Sequence, residues 1–299
     1  MVASKAPGLC YVPGSFDTGM DLMVTSTHPK LVLAAHREGV TTLTMNMPAR
    51  LNGWTMEMMV ALREALRRAA DDKDAKVVIL TGTDPYYSAG VNLGGTIKLQ
   101  HPRKLHAQIV EHNQALFDSF LDFPKPLLVA VNGPAIGASV TSATLCDGII
   151  ASERATFSTP FAALGVPAEG CSSVLFERLL GAETAERILG QEGWKPTGTE
   201  AHDCGLAQWV VPHERLLEEA QRIAEGWISE GATRSYRGGL SRDELKAVNA
   251  VESVRVADSF LAVPFLKGQY KFLWRKKKRV PAAIFFTLRM LHPLWSRLL

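Results

Sequence analysis

A chain of 299 residues with 46% hydrophobic content is long enough to bury one large core or two ordinary ones. Its 33 Lys and Arg offset 30 Asp and Glu to a formal +3, which removes any general electrostatic case for nucleic-acid binding, so an anionic ligand has to be met locally. Cys10, Cys146, Cys171 and Cys204 are widely spaced with no C-x-x-C pair, which suggests neither a zinc site nor a disulfide framework and fits a reducing compartment.

Residues 1–30 read as an N-terminal arm, with neither the apolar stretch of a secretory leader nor the acid-free, Arg-rich character of a transit peptide. Residues 31–46 hold two extended apolar-rich runs around Arg37-Glu38-Gly39, predicting a hairpin. Over 55–70, Met59, Leu62, Leu66 and Ala69 recur at three- and four-residue steps, the spacing of one helix face. VVILTG at 77–82 reads as a buried strand, a helix follows around 103–122, and Pro124-Lys125-Pro126 breaks it before a second strand, LLVAVNG at 127–133. A helical stretch over about 137–145 precedes a third strand, GIIAS at 148–152. Strands separated by such helices imply parallel crossover units, so the first two thirds is α/β.

After about residue 170 the pattern is helical: CSSVLFERLLG, AETAERILG and HERLLEEAQRIAEGWI each carry periodic apolar positions. The segment 258–299 is apolar and basic, predicting a solvated basic turn, Arg275-Lys276-Lys277-Lys278-Arg279, ahead of a packed helix. No uncharged apolar run of about 18 residues argues for a membrane-spanning helix.

Two glycine-centred segments carry the chemistry. Ser88-Ala89-Gly90-Val91-Asn92 follows the VVILTG strand, and Gly133-Pro134-Ala135-Ile136-Gly137-Ala138 follows LLVAVN. A Gly just ahead of a backbone N–H lets the chain turn sharply and admits a ligand oxygen closely. Two such N–H groups on one carbonyl make an oxyanion hole, strengthened by a helix N-terminus. Neither segment has the spacing of a nucleotide-binding loop.

In order and spacing, MNMPARLNGWT at 45–55, YYSAGVNL at 86–93, KPLLVAVNGPAIGAS at 125–139, LCDGIIASERATFSTPFAALGV at 145–166 and GLAQWVV at 205–211 resemble the crotonase (enoyl-CoA hydratase/isomerase) superfamily. The resemblance implies a ClpP-like spiral of ββα units over 31–215, with a helical C-terminal region over 216–299 that drives assembly into a homotrimer or hexamer. It implies an acyl-CoA thioester substrate whose carbonyl is held by the N–H groups of Val91 and Ala138. Substrate backbone contacts would come from Leu51, Gly53, Ser88, Ala89, Gly90, Asn92 and Gly137. No cofactor or metal is implied, coenzyme A being part of the substrate. For the basic 275–279 turn, a membrane-surface or CoA-phosphate contact is the sharper alternative to a solvated turn.

The carboxylates select the reaction. A resembling hydratase would carry glutamates at 141 and 161, where this chain has Thr141 and Phe161. One acid remains, Glu169 in LGVPAEGCSS, a stretch similar to that of peroxisomal and yeast-type Δ3,Δ2-enoyl-CoA isomerases. The resemblance therefore implies isomerisation of 3-enoyl-CoA to trans-2-enoyl-CoA with Glu169 as acid–base residue, within unsaturated fatty-acid β-oxidation. A carboxylate without a partner among Phe161, Leu164, Val166 and Pro167 is expected to be desolvated and raised in pKa. Asp147 is expected to cap or pair structurally, and His106, His112 and Asn113 are expected to lie on a solvated or packed helix face. The alternatives are another crotonase reaction, as hydratase, dienoyl-CoA isomerase or hydrolase, and a non-catalytic acyl-CoA-binding member. The resemblance points to a peroxisome or related organelle, with mitochondria or cytoplasm as alternatives; Ser296-Arg297-Leu298 is similar to an S-K-L address but is followed by Leu299, whereas such an address is read at the extreme C-terminus.

Overall fold

The computed structural model describes residues 30–91 and 100–299. Cys10, nearly all of the N-terminal arm, and Asn92 lie outside the described residues.

The chain opens with an antiparallel hairpin, β1 (Val32–Arg37) and β2 (Val40–Met45), turned by Glu38 and Gly39, both at positive φ. Two left-handed residues in a two-residue loop match the right-handed twist of the strands. β2 then pairs in parallel with β3 (Val77–Gly82), β3 with β4 (Leu127–Val131), β4 with β6 (Gly148–Ser152), and β6 with β8 (Trp209–Val211). Every residue of β3, β4 and β6 is buried, as expected of parallel strands covered on both faces.

Alternate side chains divide between the faces. Leu43, Val78, Leu80, Val129 and Ile149 pack with Met58, Leu62 and Leu66 of α1 (Met56–Asp71) and with Phe117 and Phe120 of α2 (Pro102–Leu121). Val40, Val77, Ile79, Leu128, Ala130 and Ile150 pack with Leu216, Ala220 and Ala224 of α8 (Leu216–Ser229).

The unit that repeats is long strand, short extended segment, helix. β4 is followed by β5 (Ala135–Ile136) and α3 (Ala138–Thr144); β6 is followed by β7 (Phe157–Ser158) and α4 (Phe161–Leu164). β3 leads to segment 88–91 and then to α2. The short pieces form a second layer, through parallel pairing of β5 with β7 and single bridges from Ser88 to Ala135 and from Trp54 to Val91. This is the ββα spiral expected from the sequence.

Helices complete the chain: α5 (Ser172–Leu180), α6 (Ala182–Leu189), α7 (Gly198–Asp203), α8, α9 (Arg242–Leu261), α10 (Val263–Arg275), α11 (Arg279–Met290) and α12 (His292–Trp295). α7 and α9 begin with capping boxes, Thr197 with Glu200 and Ser241 with Glu244. Asp147 is structural as expected, accepting from Leu127 N at 2.8 Å and pairing with the buried Arg234 guanidinium at 2.8 Å. The second strand ends at Val131, two residues early, and α3 starts at Ala138 because Gly137 holds φ 61°, ψ −126°, which no helix accommodates.

Candidate active site

The fold brings the two glycine segments together. Ser88 N–H donates to Pro134 O at 3.2 Å and Ile136 N–H donates to Ser88 O at 3.0 Å, so the segment after β3 runs beside the one after β4. Gly90, at φ +73°, packs so closely that an added Cβ would collide with Ile136 O and sit 3.8 Å from Gly137 N. The residues following these two glycines are Val91 and Ala138.

Hydrogen bonding separates the seven described candidate residues other than Ala138 and Glu169. Leu51 N–H donates to Pro48 O, Gly53 N–H to Arg50 O, Ser88 N–H to Pro134 O, Ala89 N–H to Leu51 O, Gly90 N–H to Ser88 Oγ and Gly137 N–H to Ser158 O, all at 2.7–3.2 Å. These six spend their donors on building the loop walls. Val91 and Ala138 N–H groups have no partner among the described residues. At Val91 this follows from the bridge geometry, since Trp54 N–H reaches Gly90 O at 2.8 Å and leaves Val91's own N–H directed elsewhere. Ala138 is the first residue of α3, where no intrahelical acceptor exists, yet it is only 2% exposed. A buried N–H without a partner is rare, and a helix N-terminus adds positive potential to it.

Asn52 is a supporting residue the sequence reading passed over. Its Nδ2 donates to Thr83 O at 2.6 Å and Tyr86 O at 2.7 Å while its Oδ1 accepts from Met47 N, tying loop 51–53 to the turn after β3.

Glu169 lies in the loop between α4 and α5, with 7% exposure. The same loop meets α3: a Cβ on Gly170 would sit 2.6 Å from Thr141 Oγ1 and 2.5 Å from Phe117 Cε1. Thr141 is three residues along α3 from Ala138, so the carboxylate loop and the Ala138 N–H share the first turn of one helix. Phe161 borders the other side, its ring 4.0 Å from where a Gly137 Cβ would stand. Positions 141 and 161 thus do flank the site, and neither carries an acid.

The expectation that Glu169 lacks a partner is corrected. Its Oε2 accepts from Asn113 Nδ2 at 2.7 Å, and Asn113 Oδ1 accepts from Ser253 Oγ of α9 at 2.9 Å, which orients the amide. Asn113 therefore belongs to the site, whereas His106 pairs with Asp258 and His112 is exposed. The signal was its spacing: Ile109, Asn113, Leu116, Phe117 and Phe120 form one helical stripe, with a polar residue among apolar ones. The preceding α9 residue, Glu252, is 1% exposed and accepts from Cys171 N at 2.6 Å and Ser173 N at 2.9 Å, bracing the turn just after Glu169.

Burial pushes the Glu169 carboxyl up to about 7, opposed by the Asn113 hydrogen bond and assisted by the Glu252 charge. Glu252 is itself raised, again by burial. The apolar surroundings differ from those expected. Leu164 is 41% exposed and Phe117 stands against Gly170 instead, while Phe161 and Val166 join a cluster with α10 and α11. Cys171 is a buried thiol donating to Leu245 O, raised in pKa by burial.

A ββα spiral with two abutting strand-end glycine turns is the crotonase fold. The chain matches the family model described as "Enoyl-CoA hydratase/isomerase" over residues 35–273 and belongs to that family. It is similar to mouse "Enoyl-CoA delta isomerase 3, peroxisomal", 32% identical over 258 residues covering 83% of this chain and 80% of that one. Human "Enoyl-CoA delta isomerase 2" is 33% identical over 262 residues, 85% of this chain and 66% of that protein. Among solved structures, an enoyl-CoA hydratase/isomerase from Pseudoalteromonas atlantica T6c superposes with a TM-score of 0.70 at 25% identity, covering 82% of this chain and 98% of the other. The family acts on acyl-CoA substrates, and no helix among the described residues is long and apolar enough to cross a membrane.

Proposed function

We propose that the chain is a Δ3,Δ2-enoyl-CoA isomerase, shifting the double bond of a 3-enoyl-CoA to give trans-2-enoyl-CoA. One observation carries the reading: two backbone N–H groups, Val91 and Ala138, without a partner among the described residues, lie on the loops that meet the Glu169 loop, where Thr141 and Phe161 stand in place of a second acid and the nearby Glu252 carboxylate is taken up by Cys171 and Ser173 N–H. The two delta isomerases similar to this chain support the same choice.

The thioester oxygen accepts both N–H groups, which stabilise it as charge builds during enolisation. Glu169, as carboxylate, takes the proton from C2, and the C2–H electrons move into a dienolate. The resulting carboxylic acid returns a proton to C4, the C3–C4 double bond becomes C2–C3, and the carboxylate is restored. One residue serves both steps because C2 and C4 present the same face to it. A pKa near 7 suits this double duty, the carboxylate being available as base and its acid strong enough to give the proton back. Coenzyme A enters with the substrate, and no other cofactor takes part. The trimer or hexamer rests on the family resemblance, and the name of the mouse relative supports a peroxisome or related organelle as the place of work.

The reading is tested by following conjugated-thioester absorbance from 3-enoyl-CoA; an inert protein would contradict it. Asn113→Ala refines the test. Asn113 stabilises the carboxylate, so its loss raises the Glu169 pKa beyond about 7. Because the base must be ionised, the acidic limb of kcat/KM moves to higher pH, with more of the rate recovered at pH 9 than at pH 7. A uniform loss at every pH would remove Asn113 from control of the base.

A further inference from the structure

The last 41 residues, 259–299, contain nine Lys and Arg and no Asp or Glu, leaving 24 basic and 30 acidic residues in the rest of the chain. The family match stops at 273, so α11, α12 and the C-terminus lie beyond the matched region. α10 and α11 form a helical hairpin whose inner face, Phe265, Leu266, Leu273, Ala282 and Phe285, is buried with Phe161 and Leu105.

The outer face combines exposed apolar side chains with cations. Residues 274–280, the whole basic turn included, are exposed. Trp274 is 50% exposed, Phe286 42% and Met290 55%. The Tyr270 ring meets both Trp274, at 5.8 Å, and Phe286, at 5.4 Å, so this surface is continuous across the hairpin. The Arg279 guanidinium lies 3.8 Å from the Trp274 ring and that of Arg289 lies 5.8 Å from Phe286.

We propose that the α10–α11 hairpin docks on an anionic phospholipid surface, with the 275–279 cations on lipid phosphates and Trp274, Phe286 and Met290 at the headgroup boundary. Aromatic and apolar residues bordered by Lys and Arg match the layering of that interface, where each cation adds attraction to anionic lipid. Two other occupants fit less well. An isologous two-fold contact between copies would set the same cations against one another, and the heterologous contact of a trimer would need an acidic face opposite them. A nucleic acid would leave the aliphatic Val280, Met290 and Leu294, 75%, 55% and 68% exposed, without a fitting partner. The surface does not depend on which reaction the site performs.

Flotation of the full chain with vesicles tests it, using phosphatidylcholine alone and phosphatidylcholine mixed with phosphatidylserine. Binding should appear only with phosphatidylserine, weaken as salt rises, and persist under saturating free coenzyme A. The triple substitution Lys276→Glu, Lys277→Glu, Lys278→Glu, placed in an exposed turn, should lower the vesicle partition coefficient at least about tenfold. Absence of flotation at low salt, equal flotation of the triple variant, or displacement by free coenzyme A would overturn the proposal. So would a Phe286→Ser, Met290→Ser variant that loses self-association by light scattering but floats like the parent, since the face would then join copies of the chain.

Discussion

Glu169→Gln lowers turnover of 3-enoyl-CoA by at least about a hundredfold, the low end of general acid–base catalysis, and leaves acyl-CoA affinity nearly unchanged. The amide keeps the shape and still accepts from Asn113, but cannot take a proton from C2. Stability moves the opposite way. With its folded pKa at about 7 against an ordinary 4.5, Glu169 binds its proton more tightly in the folded chain than in the unfolded one. Its ionisation therefore costs nothing below about pH 4.5, progressively destabilises the fold between there and 7, and costs roughly 3 kcal/mol above 7. The variant should unfold at a higher temperature than the parent at pH 8, with the gap closing toward pH 4. Near-normal turnover would remove Glu169 from the mechanism, and a gap independent of pH would remove the raised carboxyl.

Ala138→Pro should lose about 2.7–4 kcal/mol of transition-state stabilisation, on the order of a hundred- to a thousandfold in kcat, because it deletes one of two donors to the developing oxyanion. The fold should tolerate it. Ala138 is the first residue of α3, where proline's fixed φ suits the helix and no intrahelical hydrogen bond is lost, and Gly137 before it has no Cβ to clash. Ala138→Gly keeps the N–H and should retain most activity. Steady-state kinetics on the two variants, each checked for native circular dichroism, separates loss of the donor from damage to the helix. Equal activity in both would mean that the Ala138 N–H does not meet the substrate.

The long strands were legible because VVILTG, LLVAV and GIIAS are apolar runs too short for helices and bounded by turn residues. β5 and β7 were not, being two residues each and stabilised by neighbouring turns of the spiral more than by their own pattern. In the site, segments 88–91 and 133–138 announced themselves through glycine after a buried strand, and the structure confirms only that they abut. What sequence reasoning could not supply was the division of donors. Gly137 and Ala138 look alike on paper, yet Ser158 O satisfies one N–H and nothing described satisfies the other.

The surroundings of Glu169 were hidden for a related reason. Asn113, Glu252 and Ser253 come from α2 and α9, 56 to 84 residues away in sequence, and only the packing of those helices brings them to the loop. α9 buries Asn249, Glu252 and Ser253 beside Leu245, Val256 and Ala257, so its inward face carries no clean apolar stripe to mark it. A buried polar face of this kind is informative once seen, because each of its groups has to be hydrogen-bonded.

The most direct measurement sets two rates on one preparation side by side: isomerisation of a 3-enoyl-CoA and hydration of the corresponding trans-2-enoyl-CoA. With Thr141 and Phe161 at the flanking positions, and both oxygens of nearby Glu252 occupied by Cys171 and Ser173 N–H, the proposed site offers water no second free carboxylate to activate it. Rapid appearance of the conjugated thioester is expected, with little or no hydration of it. Hydration faster than isomerisation would be incompatible with a single-carboxylate isomerase.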